Sequence, residues 1–439
     1  ACIQGANMLR MQLAGYMRVP ESKIRVVARD VGGGFGCRSM GYPEYCAAML
    51  AARATGRPVK WISTRTEAFL ADNHGRGSVV QGELALDAQG KFLAMRLDWI
   101  AEVGAYMTPP AAVATIRNPM VSFTGAYRIP ALHGRWRVAM TNAAPIGNYR
   151  GAGRPDIAYV VERLMQQAAV ETGVDPVALR RRNYIPAEAF PYKTPTGSVY
   201  ENADFAGLMD KALAAADWDG FPARQAESSK AGKLRGRGMA TVIETTNAGA
   251  QPKDQVALQV QGDGRVIVHT VSHAQGHGHE TTLAMLVARA LQIPTERVVV
   301  RQGLNEPALL GNHTGGSRNT VGVGTVCHLT ALKLIDQGKA RVAEAWGVEP
   351  SQVAYARGAF TCKEPNKNRA LQELAGNGMF ETIGEGAFGA TFPNDCHVAE
   401  VEVDPETGQG TVMSYRSEEH TSELQSHLNL VCRLLLEKK

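Results

Sequence analysis

The chain has 439 residues, of which 44% are hydrophobic and 20% charged, a balance typical of a soluble globular protein with two or three domains. Its formal net charge of +5 is spread along the sequence without a Lys/Arg block, so nucleic acid is a poor candidate partner. No stretch approaches the roughly 20 apolar residues that span a bilayer, and the seven cysteines contain no C-x-x-C pair that would indicate a zinc or iron-sulfur site. We therefore expect a protein of the reducing cytoplasm.

The N-terminal residues predict a strand, a glycine-rich turn, a helix and a second strand, in that order. Residues 23–29 have a β-rich alternating pattern and end at the glycines of VGGGFG, residues 31–36. Helix formers fill residues 43–55, and residues 58–63 again have the composition of a strand. In such a unit the turn between strand and helix is free to contact a ligand.

Longer elements are predicted in the next part of the chain. Alternating stretches at residues 78–86, 91–106 and 132–140 indicate sheet strands with one solvated face. A helix should then begin near Pro155 and end at Gly173, since its apolar residues share one face: Ile157, Val161, Leu164 and Ala168. Asp175 and Pro176 predict the N-cap and first residue of a second helix.

A polar stretch rich in Gly, Lys and Arg at residues 219–237 predicts a connection between domains. We therefore expect a first domain over residues 1–218 and a second over residues 238–415. The second domain should contain strands at 255–260, 265–271 and 397–404, a helix at 280–291 and a longer helix that ends at Trp346. The predicted fold class is α+β, with two domains that contain mixed sheets.

Three glycine-rich signatures are the most informative feature of the sequence. They are VGGGFG at residues 31–36, NYRGAGRP at 148–155 and AQGHGHETT at 274–282. Glycine permits positive φ and lets the backbone approach a ligand closely, so that amide N–H groups form the contact surface. Three such loops together predict one large anionic cofactor.

VGGGFG alone is a weak signal, because a dinucleotide-binding turn or a simple tight turn would have the same composition. A dinucleotide site also needs an acidic residue after the next strand, where this chain has Ser63, Thr64 and Arg65. The glycine spacing also differs from G-x-G-x-x-G.

Arg150 lies between residues that allow unusual backbone conformations, and its guanidinium could reach an oxyanion through a charge-assisted pair of hydrogen bonds. The alternative is an arginine that precedes a helix and pairs with an acidic neighbour such as Asp156. The same alternative applies to Arg154.

The remaining motifs are also compatible with cofactor contacts. His277, His279 and Glu280 lack the H-E-x-x-H spacing of a helical metal site, and histidines bonded within a turn are an equally simple interpretation. GGSRNT, residues 315–320, supplies glycine amides with Ser317 and Arg318, a set suited to phosphate. A helix-capping turn explains Ser317 nearly as well.

The order and spacing of these motifs over residues 1–415 resemble the molybdenum-binding large subunits of the xanthine dehydrogenase, aldehyde oxidase and aerobic carbon monoxide dehydrogenase family. The resemblance includes Gln4, which precedes Phe35 by 31 positions. It implies a molybdenum-molybdopterin dinucleotide, the cytosine form by bacterial habit, bound between two molybdopterin-binding domains.

The resemblance also implies an enzyme that hydroxylates an aldehyde or an N-heteroaromatic compound, with water as the oxygen source. Electrons would pass to an iron-sulfur small subunit and an FAD-binding medium subunit in a heterotrimeric unit. No direct protein ligand to molybdenum is implied.

By the same resemblance, Phe35 and Gly36 would lie against the metal, Gln4 would hydrogen-bond its oxo group and Arg150 would orient substrate. The other implied contacts are with the cofactor and come from the glycine-rich loops: Gly34, Gly151, Ala152, Gln275, Gly276, His277, Gly278, Ser317 and Arg318. Glu280 would begin a helix that adds polar contacts.

The chain departs from the family pattern at several positions. Ser39, preceded by Cys37 and Arg38, stands where purine-oxidising members have a glutamate, which disfavours xanthine as substrate. Gly151 stands where copper-containing carbon monoxide dehydrogenases have a cysteine, which disfavours carbon monoxide. The glutamate base is expected beyond residue 415, and Glu385 does not occupy its place.

RSEEHTSELQSH, residues 416–427, looks like the translation of a sequencing-library adapter, so we expect residues 416–439 to be non-native and both domains to be incomplete. A genuine amphipathic helix with Leu424 and Leu428 on one face is the alternative. Two other functions stay open: a nicotinamide-dependent oxidoreductase that uses the VGGGFG turn, and an inactive cofactor-binding fragment.

Overall fold

The structure, a computed structural model, describes residues 1–246, 251–303 and 308–419. The chain forms two compact units that are each discontinuous in sequence. Unit 1 comprises Ala1–Asp72 and the described part of Asn247–Gly389, and unit 2 comprises Asn73–Thr246 and the described part of Ala390–Ser426. None of the helices in the described ranges has the length and apolar character needed to cross a membrane.

The α-helices of the described residues are α1 (Ala6–Met17), α2 (Pro43–Thr55), α3 (Arg65–Ala71), α4 (Asn118–Val121), α5 (Arg154–Thr172), α6 (Pro176–Asn183), α7 (Phe205–Ala215), α8 (Phe221–Lys230), α9 (His279–Leu291) and α10 (Thr325–Trp346). The strands are β1 (Ser78–Leu86), β2 (Phe92–Gly104), β3 (Ala131–Met140), β4 (Tyr192–Lys193), β5 (Val199–Tyr200), β6 (Leu234–Ile243), β7 (Asp254–Gln261), β8 (Val266–Thr270), β9 (Val298–Arg301), β10 (Ala354–Ala356), β11 (Ala359–Cys362), β12 (Lys367–Ala370), β13 (Met379–Gly386), β14 (Asn394–Val403) and β15 (Gly410–Glu419).

Unit 1 is built on a four-stranded sheet in the order β13-β7-β8-β9. In this sheet β7 pairs antiparallel with β13 and β8, and β8 pairs parallel with β9. Helices α9 and α10 contact each other and the sheet. The core between them consists of β-branched and leucine side chains such as Val256, Leu258 and Leu334, all fully buried. The ends of β8 and the start of α9 therefore hold the AQGHGHETT loop on a rigid support.

A smaller apolar cluster in unit 1 surrounds α1, where Ile3, Leu9 and Leu13 pack with Ile24 and Val26. The predicted strand at residues 23–29 was wrong: these residues form no strand, although Ala28 N–H donates to Gly303 O at 3.1 Å. Among the described residues no neighbouring strand gives this segment the ladder that a β-strand requires. The frame of a dinucleotide-binding turn is therefore missing around VGGGFG.

Residues 50–70 form what we call the exposed apolar segment. Helix α2 begins and ends as predicted, but neither it nor α3 contains a buried residue. The predicted strand at residues 58–63 was also wrong, since this stretch is outside every sheet of the described residues. Its side chains and their neighbours remain exposed: Leu50 53%, Trp61 49%, Ile62 70%, Phe69 69% and Leu70 75%.

Unit 2 contains two three-stranded sheets, β1-β2-β3 and β15-β14-β6. In the first, β2 pairs antiparallel with β1 and parallel with β3, and the second is antiparallel throughout. Parallel pairs therefore occur beside antiparallel ones in both units, and the predicted α+β class with mixed sheets is confirmed.

Helix α5 follows the predicted pattern closely. Gly153 at the N-cap has φ 91° and Gly173 at the C-cap has φ 72°, while Ile157 and Val161 are buried in the core. The next helix is capped as predicted, because the Asp175 carboxylate accepts the N–H groups of Val177 and Ala178 at 2.9 and 2.8 Å. These two helices place the NYRGAGRP turn at the start of α5.

The predicted connection at residues 219–237 is instead ordered as α8 and the first part of β6. Two of its basic residues, Arg224 and Arg235, both pair with the buried Glu400 of β14. The polar composition of this segment reflects ion pairing within unit 2. Each compact unit contains residues from both sides of 219–237, and the expected domain bounds of 1–218 and 238–415 stay a prediction.

Candidate functional site

The VGGGFG loop contacts Gln4 in unit 1. Gln4 is 4% exposed, its Nε2 donates to Thr314 O at 2.9 Å, and its Oε1 accepts the N–H of Gly36 at 2.9 Å. A Cβ at Gly34 would lie 2.6 Å from Gln4 Cδ, so only glycine permits this approach. The structure therefore brings the predicted residues Gln4, Gly34 and Gly36 together.

Phe35 has an uncommon backbone conformation, with φ 52°, and its side chain is 55% exposed. Gly36 follows with φ 90°, and its N–H is directed to Gln4 rather than to solvent. The contact of Gly36 with an oxygen of the metal stays a prediction. In the present structure the Gln4 side chain is held by hydrogen bonds at both its donor and its acceptor atoms.

The AQGHGHETT loop begins beside the same glutamine. Gln275 is 5% exposed, and its Nε2 donates to His273 O at 2.7 Å and approaches Gln4 O at 3.5 Å. His273, which is 1% exposed, contacts Ile3 O through Nε2 at 2.8 Å. Gly276 and Gly278 have φ 109° and 69°, and a Cβ on either would meet no atom of the described structure within 4 Å.

Several buried polar atoms around this loop have no hydrogen-bond partner among the residues that the structure describes. They belong to four side chains: Gln275 Oε1, His273 Nδ1, His279 Nδ1 and Asn319 Oδ1. Leaving a buried donor or acceptor unpaired costs about 1–3 kcal/mol, so native proteins satisfy nearly all of them. This cluster, which we call the Gln4–Gln275 site, is therefore suited to a polar ligand.

Burial lowers the pKa of three histidines near the site, which favours their neutral forms. Burial lowers the pKa of His279 to about 4, and the neighbouring His277, whose ring centroid is 5.3 Å away, adds to this effect. Burial likewise lowers the pKa of His273 and brings the pKa of His313 to about 4. Within the described ranges, no group of three His, Cys, Asp or Glu side chains is arranged to hold a metal ion.

The GGSRNT loop differs from the open phosphate-binding arrangement that its composition suggested. Arg318 is 5% exposed and pairs with the equally buried Asp254, with Nη1 at 3.2 Å from Oδ1. Asn312 donates to the same carboxylate oxygen. Ser317 is exposed and has φ 56°. A phosphate contact by either residue stays a prediction, and the charge of Arg318 is already balanced.

Glu280 lies in the first turn of α9, as predicted, and its carboxylate accepts a hydrogen bond from Gln302. Ser39, which stands where purine-oxidising members have a glutamate, has a partner within its own loop, because its Oγ donates to Gly36 O at 2.6 Å. The preceding Arg38 pairs with Asp72 at 3.0 Å. Glu385 is exposed on β13, where Lys253 Nζ donates to it at 2.7 Å and lowers its pKa. These contacts give Glu385 no catalytic surroundings.

The NYRGAGRP turn belongs to unit 2. Three consecutive residues have positive φ: Gly151 95°, Ala152 47° and Gly153 91°. The Ala152 carbonyl accepts from Asn118 Nδ2 at 2.8 Å, and the Ala152 N–H donates to Tyr149 O at 2.8 Å. The side chain of Arg150 is exposed, while its carbonyl accepts from Arg76 Nη2 at 2.6 Å.

The expected alternatives for the two arginines have different outcomes. Arg154 is buried and pairs with Glu244 at 2.9 Å, so it has a structural partner other than Asp156. Asp156 instead faces Arg76, whose Nε lies 3.8 Å from Oδ2. Of the two arginines of this turn, Arg150 is exposed and Arg154 is buried.

Sequence reasoning missed several residues that build these sites. Thr314 accepts the hydrogen bond of Gln4, and its hydroxyl donates to His273 O at 2.5 Å and accepts from Asn319 Nδ2 at 3.1 Å. Arg76 was also missed, although its position between two glycines is a signal of close backbone contact. Nothing in the local sequence distinguishes Thr314 from an ordinary loop residue.

Both halves of the chain match families of molybdopterin cofactor-binding domains. A family model described as a molybdopterin cofactor-binding domain matches residues 1–184, and a second model with this description matches residues 211–418. The carbon monoxide dehydrogenase large chain of Hydrogenophaga pseudoflava is 29% identical over 441 residues, which cover 94% of this chain and 54% of that protein.

Two further relatives agree. The nicotine 6-hydroxylase large subunit of Paenarthrobacter nicotinovorans is 33% identical over 333 residues, covering 73% of this chain and 41% of that protein. The crystal structure of quinoline 2-oxidoreductase from Pseudomonas putida 86 superposes with a TM-score of 0.86 at 27% identity, covering 94% of this chain and 56% of that chain. This chain thus spans about half the length of these relatives. It belongs to the family of molybdenum-binding large subunits of the molybdenum hydroxylases.

Proposed function

We propose that this chain is the cofactor-binding part of the catalytic subunit of a molybdenum hydroxylase. The observation that carries the proposal is the Gln4–Gln275 site, in which glycine-rich backbone lies beside buried polar atoms that lack partners among the described residues. A molybdopterin is rich in hydrogen-bonding nitrogen and oxygen atoms, so it would satisfy these groups. The fit supports the cofactor class that the family models describe.

The residues would hold the group in different ways. Gln275 Oε1 can accept a hydrogen bond, and the neutral His273 and His279 can each donate or accept according to tautomer. Gly276 and Gly278 leave the loop backbone accessible, which suits contacts from amide N–H groups to a pyrophosphate. We further propose the cytosine dinucleotide form of the cofactor.

Gln4 suits a place next to a redox centre. A neutral amide can donate a hydrogen bond without adding a charge, and the bonds to Thr314 and Gly36 keep this amide in one orientation. When bound, the molybdenum-pterin group supplies the two-electron chemistry that places an oxygen from water on a C–H carbon of the substrate. The protein contributes position, hydrogen bonds and exclusion of water.

We propose an N-heteroaromatic substrate, with an aldehyde as the second choice. The names of two relatives contain nicotine and quinoline, and both of these compounds have a ring nitrogen. Arg150 is an exposed residue, and a guanidinium can donate to a nitrogen that gains negative charge in the reaction. Carbon monoxide is disfavoured, because Gly151 has no side chain that could bind copper.

An iron-sulfur small subunit and an FAD-binding medium subunit are the partners that we propose. The sequence contains no C-x-x-C pair for an iron-sulfur cluster, so we assign electron transfer to these other chains. Two of the relatives are themselves named as a large chain and a large subunit.

Molybdenum and pterin analysis of the complete subunit, co-expressed with the neighbouring genes, tests the cofactor class. About one molybdenum per chain is expected by mass spectrometry of the metal, followed by activity in a screen of quinoline, nicotine and benzaldehyde. A Gln275→Ala variant should retain less pterin, whereas Gln337→Ala, on the far helix α10, should retain the same amount. A preparation without molybdenum, from cells that load another family member, would contradict the proposal.

A further inference from the structure

The segment from His74 to Gly77 lies against the NYRGAGRP turn in unit 2. His74 N–H donates to Pro145 O at 2.9 Å, and Gly147 N–H donates to His74 O at 2.8 Å. At its other end, Gly77 O accepts from Glu102 N–H of β2 at 2.7 Å. Backbone hydrogen bonds on both sides therefore fix the position from which Arg76 extends.

The backbone of this segment is unusually close to its neighbours. A Cβ at Gly75 would lie 2.7 Å from Tyr149 Cβ, and a Cβ at Gly77 would lie 3.1 Å from Glu102 Cβ. Arg76 itself has φ 56°, a conformation that few residues other than glycine adopt. Unfavourable backbone conformations of this kind persist where the surrounding contacts require them.

The guanidinium of Arg76 contacts residues on both sides of the turn. Its Nη2 donates to Arg150 O at 2.6 Å, and its Cζ lies 5.5 Å from the centre of the Tyr149 ring. Its Nε lies 3.8 Å from Oδ2 of Asp156 in the first turn of α5. One side chain thus joins the residues before and after Gly151, Ala152 and Gly153.

These contacts matter because the turn is otherwise easy to rearrange. The peptide between Arg150 and Gly151 can rotate at little steric cost, since glycine accepts both positive and negative φ. The charged hydrogen bond from Arg76 selects the orientation in which the Arg150 carbonyl faces the guanidinium. The chain direction at Arg150, and with it the origin of its exposed side chain, follows from that choice.

We propose that Arg76 is a positioning residue that fixes the turn of residues 149–153 and so directs Arg150 toward the substrate. The substrate part of this inference rests on the proposed function. The structural part, that Arg76 holds the turn, stands on the contacts of unit 2 alone. Neither the family description nor the names of the relatives assigns a role to this arginine.

Hydrogen exchange of the Ala152 and Arg154 amides tests the structural part in the complete subunit. These N–H groups bond to Tyr149 O at 2.8 Å and Gly151 O at 3.1 Å, so they report on the closed turn. We expect Arg76→Ala to accelerate their exchange about tenfold or more, and Arg76→Lys to restore part of the protection. Arg96→Ala is the matched control, because Arg96 pairs with Glu83 on the β1-β2 sheet, away from the turn.

Two results would overturn the inference. One is equal exchange at Ala152 and Arg154 in the Arg76→Ala and Arg96→Ala variants. The other is an acceleration by Arg76→Ala that extends equally to Met165 in the middle of α5, which would indicate a general loss of stability.

Kinetics in the assembled enzyme test the link to Arg150, with quinoline as the probe. If Arg76 acts through Arg150, Arg76→Ala should lower kcat/KM in the parent enzyme but add no further loss to Arg150→Ala. Losses that multiply in the double variant would refute this link. An enzyme that lacks molybdenum would overturn the proposed function, while the exchange experiment would still decide whether Arg76 holds the turn.

Discussion

Replacement of Gly34 by alanine tests the packing of the VGGGFG loop on Gln4. The added Cβ would lie 2.6 Å from Gln4 Cδ, closer than real Cβ atoms approach a neighbour. Gln4 cannot move away freely, because it is 4% exposed and bonded to Thr314 and Gly36. The substitution must therefore strain the loop or break these hydrogen bonds.

Both routes have a similar cost. Overpacking a well-packed site typically costs about 1–3 kcal/mol. Displacement of Gln4 removes two hydrogen bonds, each of which contributes about 1 kcal/mol. We therefore expect the Gly36 N–H to open more easily by about 2 kcal/mol, which corresponds to roughly 30-fold faster exchange at about 1.4 kcal/mol per factor of ten.

Amide exchange at Gly36, followed by NMR or mass spectrometry, measures this effect. Gly32→Ala is a matched control in the same loop, because a Cβ there would have no neighbour within 4 Å and the residue does not have positive φ. Pterin retention by the complete subunit should fall with Gly34→Ala and remain unchanged with Gly32→Ala. Equal exchange rates at Gly36 in the two variants would refute the reasoning.

Three other predictions concern stability and solubility. The buried Glu162 lies 2.9 Å from Arg180 and accepts a hydrogen bond from Tyr127 at 2.6 Å. Glu162→Ala should therefore destabilise unit 2 by about 3–5 kcal/mol, whereas Glu83→Ala, which removes an exposed ion pair, should cost less than about 1 kcal/mol. Equal urea midpoints for the two variants would contradict this prediction. Burial holds the pKa of His279 near 4, below its unfolded value of about 6.5. The neutral ring therefore makes its full contribution to the free energy of unfolding above pH 6.5, and this contribution is lost as the pH falls toward 4. Between pH 7 and pH 5 the free energy of unfolding should fall by about 2 kcal/mol because of His279. Urea unfolding of the His279→Gln variant should lack this part of the pH dependence. The double variant Ile62→Lys/Leu70→Lys should reduce light scattering by the isolated chain. Val170→Lys, at an equally exposed apolar position on α5, should not reduce it. Equal scattering by the double variant and the control would argue against association through the exposed apolar segment.

Local patterns predicted much of the fold. Helix α2 occupies residues 43–55, as its composition indicated, Pro155 and Asp175 mark the helix starts expected of them, and Gly173 ends α5. These features succeed because capping and φ restriction act within a few residues. Residues 58–63 failed because a strand also needs a partner, and the identity of a partner is not a local property.

The candidate site shows the same limit. Glycine spacing and Gln4 identified the loops that meet in unit 1, but the partner of Arg318 is Asp254, 64 positions earlier. A phosphate ligand and a carboxylate partner require the same donors from arginine, so the motif alone could not distinguish them. Thr314, His273 and Arg76 were missed for a related reason, since their roles arise from contacts made by the folded chain.

The interleaved segments of the two units constrain how the protein folds during synthesis. Unit 1 contains Ala1–Asp72, but its sheet needs β7 to β9 and β13, which leave the ribosome only after the whole stretch from Asn73 to Thr246. Unit 2 in turn needs β14, whose Cys396 and Val398 belong to its core. Neither unit can be finished before the other is largely made, so these two units cannot fold one after the other during synthesis. Gln4 must wait for Thr314, its hydrogen-bond partner 310 positions later, a period in which chaperone binding would protect the unfinished unit.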